Sequence, residues 1–315
     1  MNGRACAALL SLLAAAAQAA VLIVDGQNPA ARDDNPGTAA APFKTIQAAL
    51  DKAQAGDTVG VHGGVYSGKV TIARSGSGPN FTAGPSYSAY YWGDPVKWVT
   101  LEAFGDERVV IDGTAEITAD LWKLVAGKTN TYAAAFKGQL KPERYMDMVH
   151  PAYLYADGVP VKHAAGKNPS TAAWQPPNVP ALPEDAAEKP GWFYDIAKGL
   201  FYVNLGGKKP GRDARITVSD AESGIDVAGC SCVRVRKLEI RGFTYTGISA
   251  NDARNCVIED NYIHDCGNGM ALNIVECVIR RNVIADVTRN GIGMACRGGA
   301  IEGNVIRRFN RNPYG

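Results

Sequence analysis

Short apolar alternations dominate the chain. Val59 and Val61, Val70 and Ile72, and Val99 and Leu101 each flank a polar or small residue, and Val109 and Ile111, which flank Val110, are followed by Asp112 and Gly113. Side chains on a strand point alternately to opposite faces, so each pair predicts a short strand with one buried face. Gly63-Gly64, Gly76-Ser77-Gly78 and Asp112-Gly113 punctuate these strands as turns. One stretch has a different period. Ile46, Ala49, Leu50 and Ala53 fall at i, i+3, i+4 and i+7 and make one apolar stripe, which predicts a helix from Thr45 to Ala55. Thr45 suits its N-cap and Gly56 its stop.

From Ile216 the alternation becomes a repeat. Gly224-Ile225, Gly247-Ile248, Gly269-Met270 and Gly291-Ile292 recur at intervals of 23, 22 and 22 residues. Ile240, Ile263, Ile284 and Ile306 recur at 23, 21 and 22, and Asn261, Asn282 and Asn304 at 21 and 22. A fixed period of about 20–50 residues is the mark of a stacked solenoid. Each period holds short β-branched strands and Gly, Asn or Asp turns, with no helical stripe. The solenoid is therefore a parallel β-helix with coils of about 22 residues, and the Asn column is expected to form an amide ladder inside it. Asn268, Asn290 and Asn312 also align at 22, so Asn312 opens a further coil. Uncapped solenoid ends expose strand edges, which predicts a piece of a longer protein.

Residues 115–213 interrupt the rhythm. They are rich in aromatic residues and Pro, with Asp157-Gly158 and Lys198-Gly199 placed as hairpin turns between Ala152–Tyr155, Gly191–Asp195 and Leu200–Val203. Trp122, Trp174, Trp192 and many tyrosines give this stretch material to bury, which argues against disorder. The expected organisation is a leader over residues 1–20, a cap and first coils over 21–114, an antiparallel β insertion over 115–213, and further coils over 214–315.

Composition narrows the setting. The net charge of +2 argues against a nucleic-acid binder. Arg4, the apolar run from Ala5 to Ala17 and the small residues Ala17-Gln18-Ala19 have the form of an export signal, too short to span a bilayer. A secreted or periplasmic monomer is expected, with no membrane or nucleic-acid partner. The six cysteines beyond the leader (Cys230, Cys232, Cys256, Cys266, Cys277 and Cys296) all lie in the C-terminal third, several at coil spacing. Export would permit disulfides, but small core fillers fit the columns better.

Asp34-Asn35-Pro36-Gly37-Thr38, Pro42-Phe43-Lys44-Thr45-Ile46-Gln47, Ala55-Gly56-Asp57-Thr58-Val59 and Gly64-Val65-Tyr66 resemble the opening of secreted bacterial β-helix proteins of the pectin-lyase-like superfamily. The coils from Cys256 to Asp265 and from Val278 to Ile284 are similar to the coil repeat of that superfamily. The resemblance implies a right-handed parallel β-helix, with the amphipathic helix closing its N-terminal end. The insertion is similar to that of some β-helix glycosidases, including bacterial β-xylosidases. The superfamily holds polysaccharide lyases, glycoside hydrolases, epimerases and non-catalytic binders, so the reaction stays open. A polysaccharide or oligosaccharide is the expected partner.

Columns predict contacts, because equivalent residues of adjacent coils stack roughly 4.8 Å apart. Asp265, Asp286 and Arg308 align at 21 and 22. Two stacked carboxylates would suit a retaining glycosidase pair or a Ca2+ ion, or they serve only their turns. His264, beside Asp265, is a candidate acid or base. The last forty residues hold seven arginines, Arg289 and Arg308 among them. Arginine forks bind carboxylates, which would suit a uronate polymer and lyase chemistry, whereas a solvated face is the plain alternative. Asn251 and Asn273 align on a small, polar outward strip with Asp226, Ser249, Ala271 and Gly293 beside it, a surface that can accept a sugar chain. Trp92, crowded by Tyr87, Tyr90 and Tyr91, is a candidate for stacking on pyranose rings.

Overall fold

The computed structural model describes residues 19–77, 96–136, 138, 153–162, 190–195, 198–227 and 229–309. Residues 1–18 of the leader, Trp92 with its tyrosine neighbours, Trp174 and Asn312 lie outside these residues. No helix among the described residues is long and apolar enough to cross a membrane.

The coils wind through three strands each. The first face stacks Val21–Val24, Thr58–Val61, Val99–Ala103, Val233–Arg236 and Val257–Glu259, all parallel and in register. The second stacks Gly64–Ser67, Val109–Asp112, Glu239–Arg241, Tyr262–His264, Val283–Ala285 and Val305–Arg307. The third stacks Val70–Thr71, Ser223–Asp226, Thr246–Arg254, Asn268–Arg280 and Ile292–Glu302. Asn268–Arg280 bends from the third face into the first, where its last residues pair with Val257–Glu259.

The repeated columns are the inward positions. Ile225, Ile248 and Met270 are fully buried in one, and Ile240, Ile263 and Ile284 in the other. The two columns specify each other. A Cβ on Gly269 would sit 2.4 Å from Ile284 Cγ2 and 2.5 Å from the Gly291 carbonyl oxygen. Gly224, Gly247 and Gly291 meet Ile240, Ile263 and Ile306 in the same way. Glycine recurs because the isoleucine across the coil fills the space a side chain would take.

The asparagines form the expected ladder. Asn261 donates from its backbone N and from Nδ2 to Asn282 Oδ1, at 3.1 and 3.0 Å. Asn282 does the same to Asn304 Oδ1, at 3.0 Å each. On the outer side of the first face runs a second ladder of alternating charge, Glu102, Arg236, Glu259, Arg280 and Glu302. Glu259 is 3% exposed and lies within 4.0 Å of Arg234, Arg236, Arg280 and Arg281. Of the six cysteines, all free, five are buried and Cys296 is exposed.

The helix covers the N-terminal end and is shorter than its stripe suggests. It runs Ile46–Lys52, with Thr45 accepting from Ala48 N. Ala53 already has extended ψ, and the Asp57 carboxylate accepts from Gln54 N, drawing the chain into the next strand. Ile46, Ala49 and Leu50 bury against Val24, Val59 and Val61.

The insertion is antiparallel. Thr114–Glu116, Ile216–Ser219, Leu154–Ala156 and Val159–Pro160 form one sheet. Trp122–Leu124, Thr131–Ala135, Leu200–Asn204 and Gly191–Asp195 form another. Asp157 and Gly158 turn the hairpin with φ of 52° and 76°, as a two-residue hairpin requires. Ile117, Trp122, Leu154, Trp192, Phe201, Ile216 and Val218 make a core separate from that of the coils.

Candidate functional site

On the second face Ile240 and Ile263 point inward, so Glu239, Arg241, Tyr262 and His264 point outward. Register puts Arg241 between Asp112 and His264, and Glu239 beside Tyr262. His264 is the centre of the cluster. Its Nε2 lies 3.2 Å from Glu239 Oε1 and its Nδ1 2.9 Å from Asp265 Oδ2. Its ring stacks on Tyr262, with centroids 4.4 Å apart. The side chains of His264, Glu239 and Asp265 are each 12% exposed.

These contacts set the charges. Burial pulls the His264 pKa down, but the hydrogen bonds to Asp265 and Glu239 outweigh it and raise the pKa to about 9. The imidazole is therefore a cation at neutral pH and donates from both nitrogens. Burial would raise the Glu239 pKa, yet His264 and Arg108 hold it at about 2. Arg108 grips Glu239 as a fork, Nε to Oε2 and Nη2 to Oε1, both at 2.7 Å. Arg241 holds Asp112 Oδ2 at 2.9 and 3.1 Å. Beside Glu239 an open groove of about 290 Å³ is lined by Arg108, Glu239, Tyr262, Lys237, Asp260 and Glu107. Hydrogen bonds lower the pKa of Asp260 (from Arg281) and of Glu107 (from Gly63 N).

The structure brings only some of the sequence candidates together. Asp265 and Asp286 do occupy one turn column, with Arg308 next, and all three have φ of 51°. Their carboxylates have different partners, however: Asp265 is on His264, while Asp286 is forked by Arg308, with Nε 2.6 Å from Oδ1. Among the described residues no group of three or more His, Cys, Asp or Glu is placed to hold a metal ion. Asn251 and Asn273 stack in register and exposed, but on the third face, away from His264. Ser249 beside them is buried, and Lys69 pairs with Asp226 at 2.7 Å. Arg289 is half-buried, its backbone N donating to the Gly267 carbonyl at 2.8 Å.

His264 is no isolated surface histidine, because Glu239 and Arg108 complete its site. The coil period carries a signal for Glu239: one coil of 23 residues places it beside Tyr262, two positions from His264. Arg108 lies 131 residues from Glu239, across the insertion, where no period reaches.

Residues 209–312 match the family model described as the right handed beta helix region. No curated protein matches the sequence. Among solved structures, XylC in complex with xylose superposes with a TM-score of 0.64 at 19% identity, over 91% of this chain and 54% of that one. A glycoside hydrolase gives 0.48 at 12% identity, over 87% and 79%, and the pectate lyase Pel9A 0.42 at 11%, over 93% and 47%. The chain thus spans about half the length of XylC. The likeness to XylC is likeness of fold, and the fold is a right-handed parallel β-helix.

Proposed function

We propose that this right-handed parallel β-helix is an exported carbohydrate-active protein that takes a neutral, xylose-type oligosaccharide in the groove beside Glu239 and cleaves its glycosidic bond. The carrying observation is a carboxylate fixed in its charged form at the wall of an open groove. Glu239 is ionised at any physiological pH, and its orientation is set by Arg108 and His264. Such a group accepts sugar hydroxyls and stabilises the positive charge of an oxocarbenium-like transition state. Tyr262, partly exposed at the same wall, offers a ring face to a pyranose. The fold likeness to XylC, whose structure holds xylose, supports the choice of sugar.

A neutral substrate fits better than a uronate polymer. Three of the arginines that could recognise a uronate are already committed: Arg280 and Arg281 to Glu259, Arg281 to Asp260, and Arg308 to Asp286. A second reading, glycan binding without cleavage, draws on the same pattern. His264, Arg308 and Arg108 each stabilise the charged form of a carboxylate, whereas a general acid needs the protonated form.

The test is a panel of xylo-oligosaccharides, aryl xylosides, pectate and alginate. Release of reducing ends from the xylosides without an unsaturated product supports hydrolysis, and Glu239→Gln is expected to lower kcat by about 10²-fold. Binding without release selects the second reading. An unsaturated product from pectate or alginate, or neither release nor binding, overturns the proposal.

A further inference from the structure

The inserted sheet Thr114–Glu116, Ile216–Ser219, Leu154–Ala156 presents two faces. Leu154, Ile216 and Val218 point into the core of the insertion. Tyr155 and Thr217 pair across the strands and point the other way, and Ser219, whose N donates to the Tyr153 carbonyl, shares that face. This face is buried although it is polar: Tyr155 is 4%, Thr217 9% and Ser219 0% exposed. It lies against the turn column of the coils, because the Tyr153 hydroxyl donates to the Asp286 carbonyl.

Two hydroxyls on this face, Tyr155 Oη and Ser219 Oγ, are buried and make no hydrogen bond. Buried polar groups nearly always have a partner, protein or water, so each orphan marks a place where one is due. For Tyr155 the stacking identifies it. Tyr153 and Tyr155 lie two residues apart with their rings stacked, centroids 6.2 Å apart, somewhat more than one coil step of roughly 4.8 Å. Tyr153 sits on Asp286, and one coil back in the same turn column is Asp265. Asp265 Oδ2 is taken by His264. After desolvation, the Asp265 charge is the strongest influence on the Tyr155 hydroxyl, which agrees with this placement.

We propose that Tyr155 donates its hydroxyl to the Asp265 carboxylate through one bound water, and so acts as a positioning residue by which the insertion orients His264. The chain of contacts then runs from Tyr155 through Asp265, His264 and Glu239 to Arg108 at the groove. Its effect on catalysis rests on the glycan-site reading above, but the contact itself does not. The charged groups around His264 are Glu239 with Arg108 behind it, Asp265 on its own turn, Asp112 and Arg241 in its outward column, and Arg308 with Asp286 on the turns that follow. A neutral donor on Asp265 draws off part of the negative charge that His264 feels. Removing it strengthens the carboxylate's hold on the imidazolium.

The test is an NMR titration of the full protein with ¹⁵N-labelled histidine, His264 being assigned from the His264→Gln spectrum. Tyr155→Phe keeps the ring and is expected to raise the His264 midpoint above that of the wild type. Tyr153→Phe, which removes a bond to a backbone carbonyl, is expected to leave it in place. An unchanged or lowered midpoint in Tyr155→Phe, or equal shifts in both variants, overturns the proposal. If Tyr155→Phe does not fold, the wild type decides. A slowly exchanging Tyr155 hydroxyl proton supports the bond, and one averaged with solvent overturns it. Where xyloside cleavage is found, Tyr155→Phe is expected to lower kcat several-fold and leave KM within twofold. Absence of cleavage would sink the glycan reading while leaving the titration to judge Tyr155.

Discussion

At the scale of single residues, His264 and Glu239 tie stability to pH in opposite directions. His264 has a folded pKa of about 9 against 6.5 for the free side chain. Its contribution is complete below about pH 6.5 and disappears as pH rises through 9. Glu239 has a folded pKa of about 2 against 4.5, so its contribution is complete above about pH 4.5 and is lost as pH falls towards 2. Both act fully only between these limits. Calorimetry across pH should show the highest Tm between about 4.5 and 6.5, and His264→Gln should flatten the alkaline fall. A wild-type Tm that does not decline towards pH 9 would mean that His264 is not held as an imidazolium. Buried Glu259 makes a different kind of prediction. Four arginines surround it, and removing one partner of a buried charge cluster leaves the others uncompensated. Glu259→Gln should destabilise by about 3–5 kcal/mol in urea unfolding. The exposed Glu302→Gln, in the same ladder, should change stability by less than about 1 kcal/mol.

At the scale of elements, what was legible in the sequence was whatever repeats. The Gly-Ile steps, the isoleucine column and the Asn ladder each fix an inward position once per coil, and the register follows from their spacing. The helix was legible as a stripe, but its end was not. Ala53 continues the apolar stripe because it faces the core, while its backbone has already left the helix to meet the Asp57 bonds. The candidate site was half legible. His264 and Asp265 are neighbours in the chain, but the Asp265–Asp286 stacking says nothing about which cation each carboxylate chooses, and Arg308 takes the second. The pairing of glycine with isoleucine across each coil gives the sharpest test at this scale. A methyl group on Gly269 would press on Ile284 and on the backbone oxygen of Gly291, and backbone cannot rotate away as a side chain can. Gly269→Ala should therefore destabilise by about 1–3 kcal/mol through overpacking. Adding Ile284→Val, which trims the isoleucine side chain, should recover part of that loss. Gly127→Ala, at a turn with φ of 74° and open space around it, would strain only the local backbone and should gain nothing from Ile284→Val.

At the scale of the whole molecule, a solenoid transmits energy mainly between adjacent coils, because each coil touches only the one before and the one after. The Asn ladder makes this measurable. Asn282 is fully buried, accepts from Asn261 and donates to Asn304. Asn282→Ala strands the Asn261 backbone N and one of the two Nδ2 protons, the other still donating to the Val235 carbonyl, and should destabilise by about 2–4 kcal/mol, as expected for more than one buried N–H left unpaired. Asn261→Ala removes some of the same bonds from the other side. The double variant should then lose less than the sum of the two, by about 1 kcal/mol or more of coupling. Asn282→Ala combined with Val59→Ala, in the first coils under the helix, should be additive within about 0.5 kcal/mol, since no contact joins them. The insertion is the exception to nearest-neighbour behaviour. Its sheet leaves the coils at Thr114, just past Asp112, and returns to bond Asp286 through Tyr153, so it ties together turns on coils that do not touch each other. Tyr153→Phe paired with Asp112→Asn should therefore show coupling that the coils alone would not carry. Additivity of that pair in urea unfolding, within the same 0.5 kcal/mol or so, would mean that the insertion rides on the helix without bracing it.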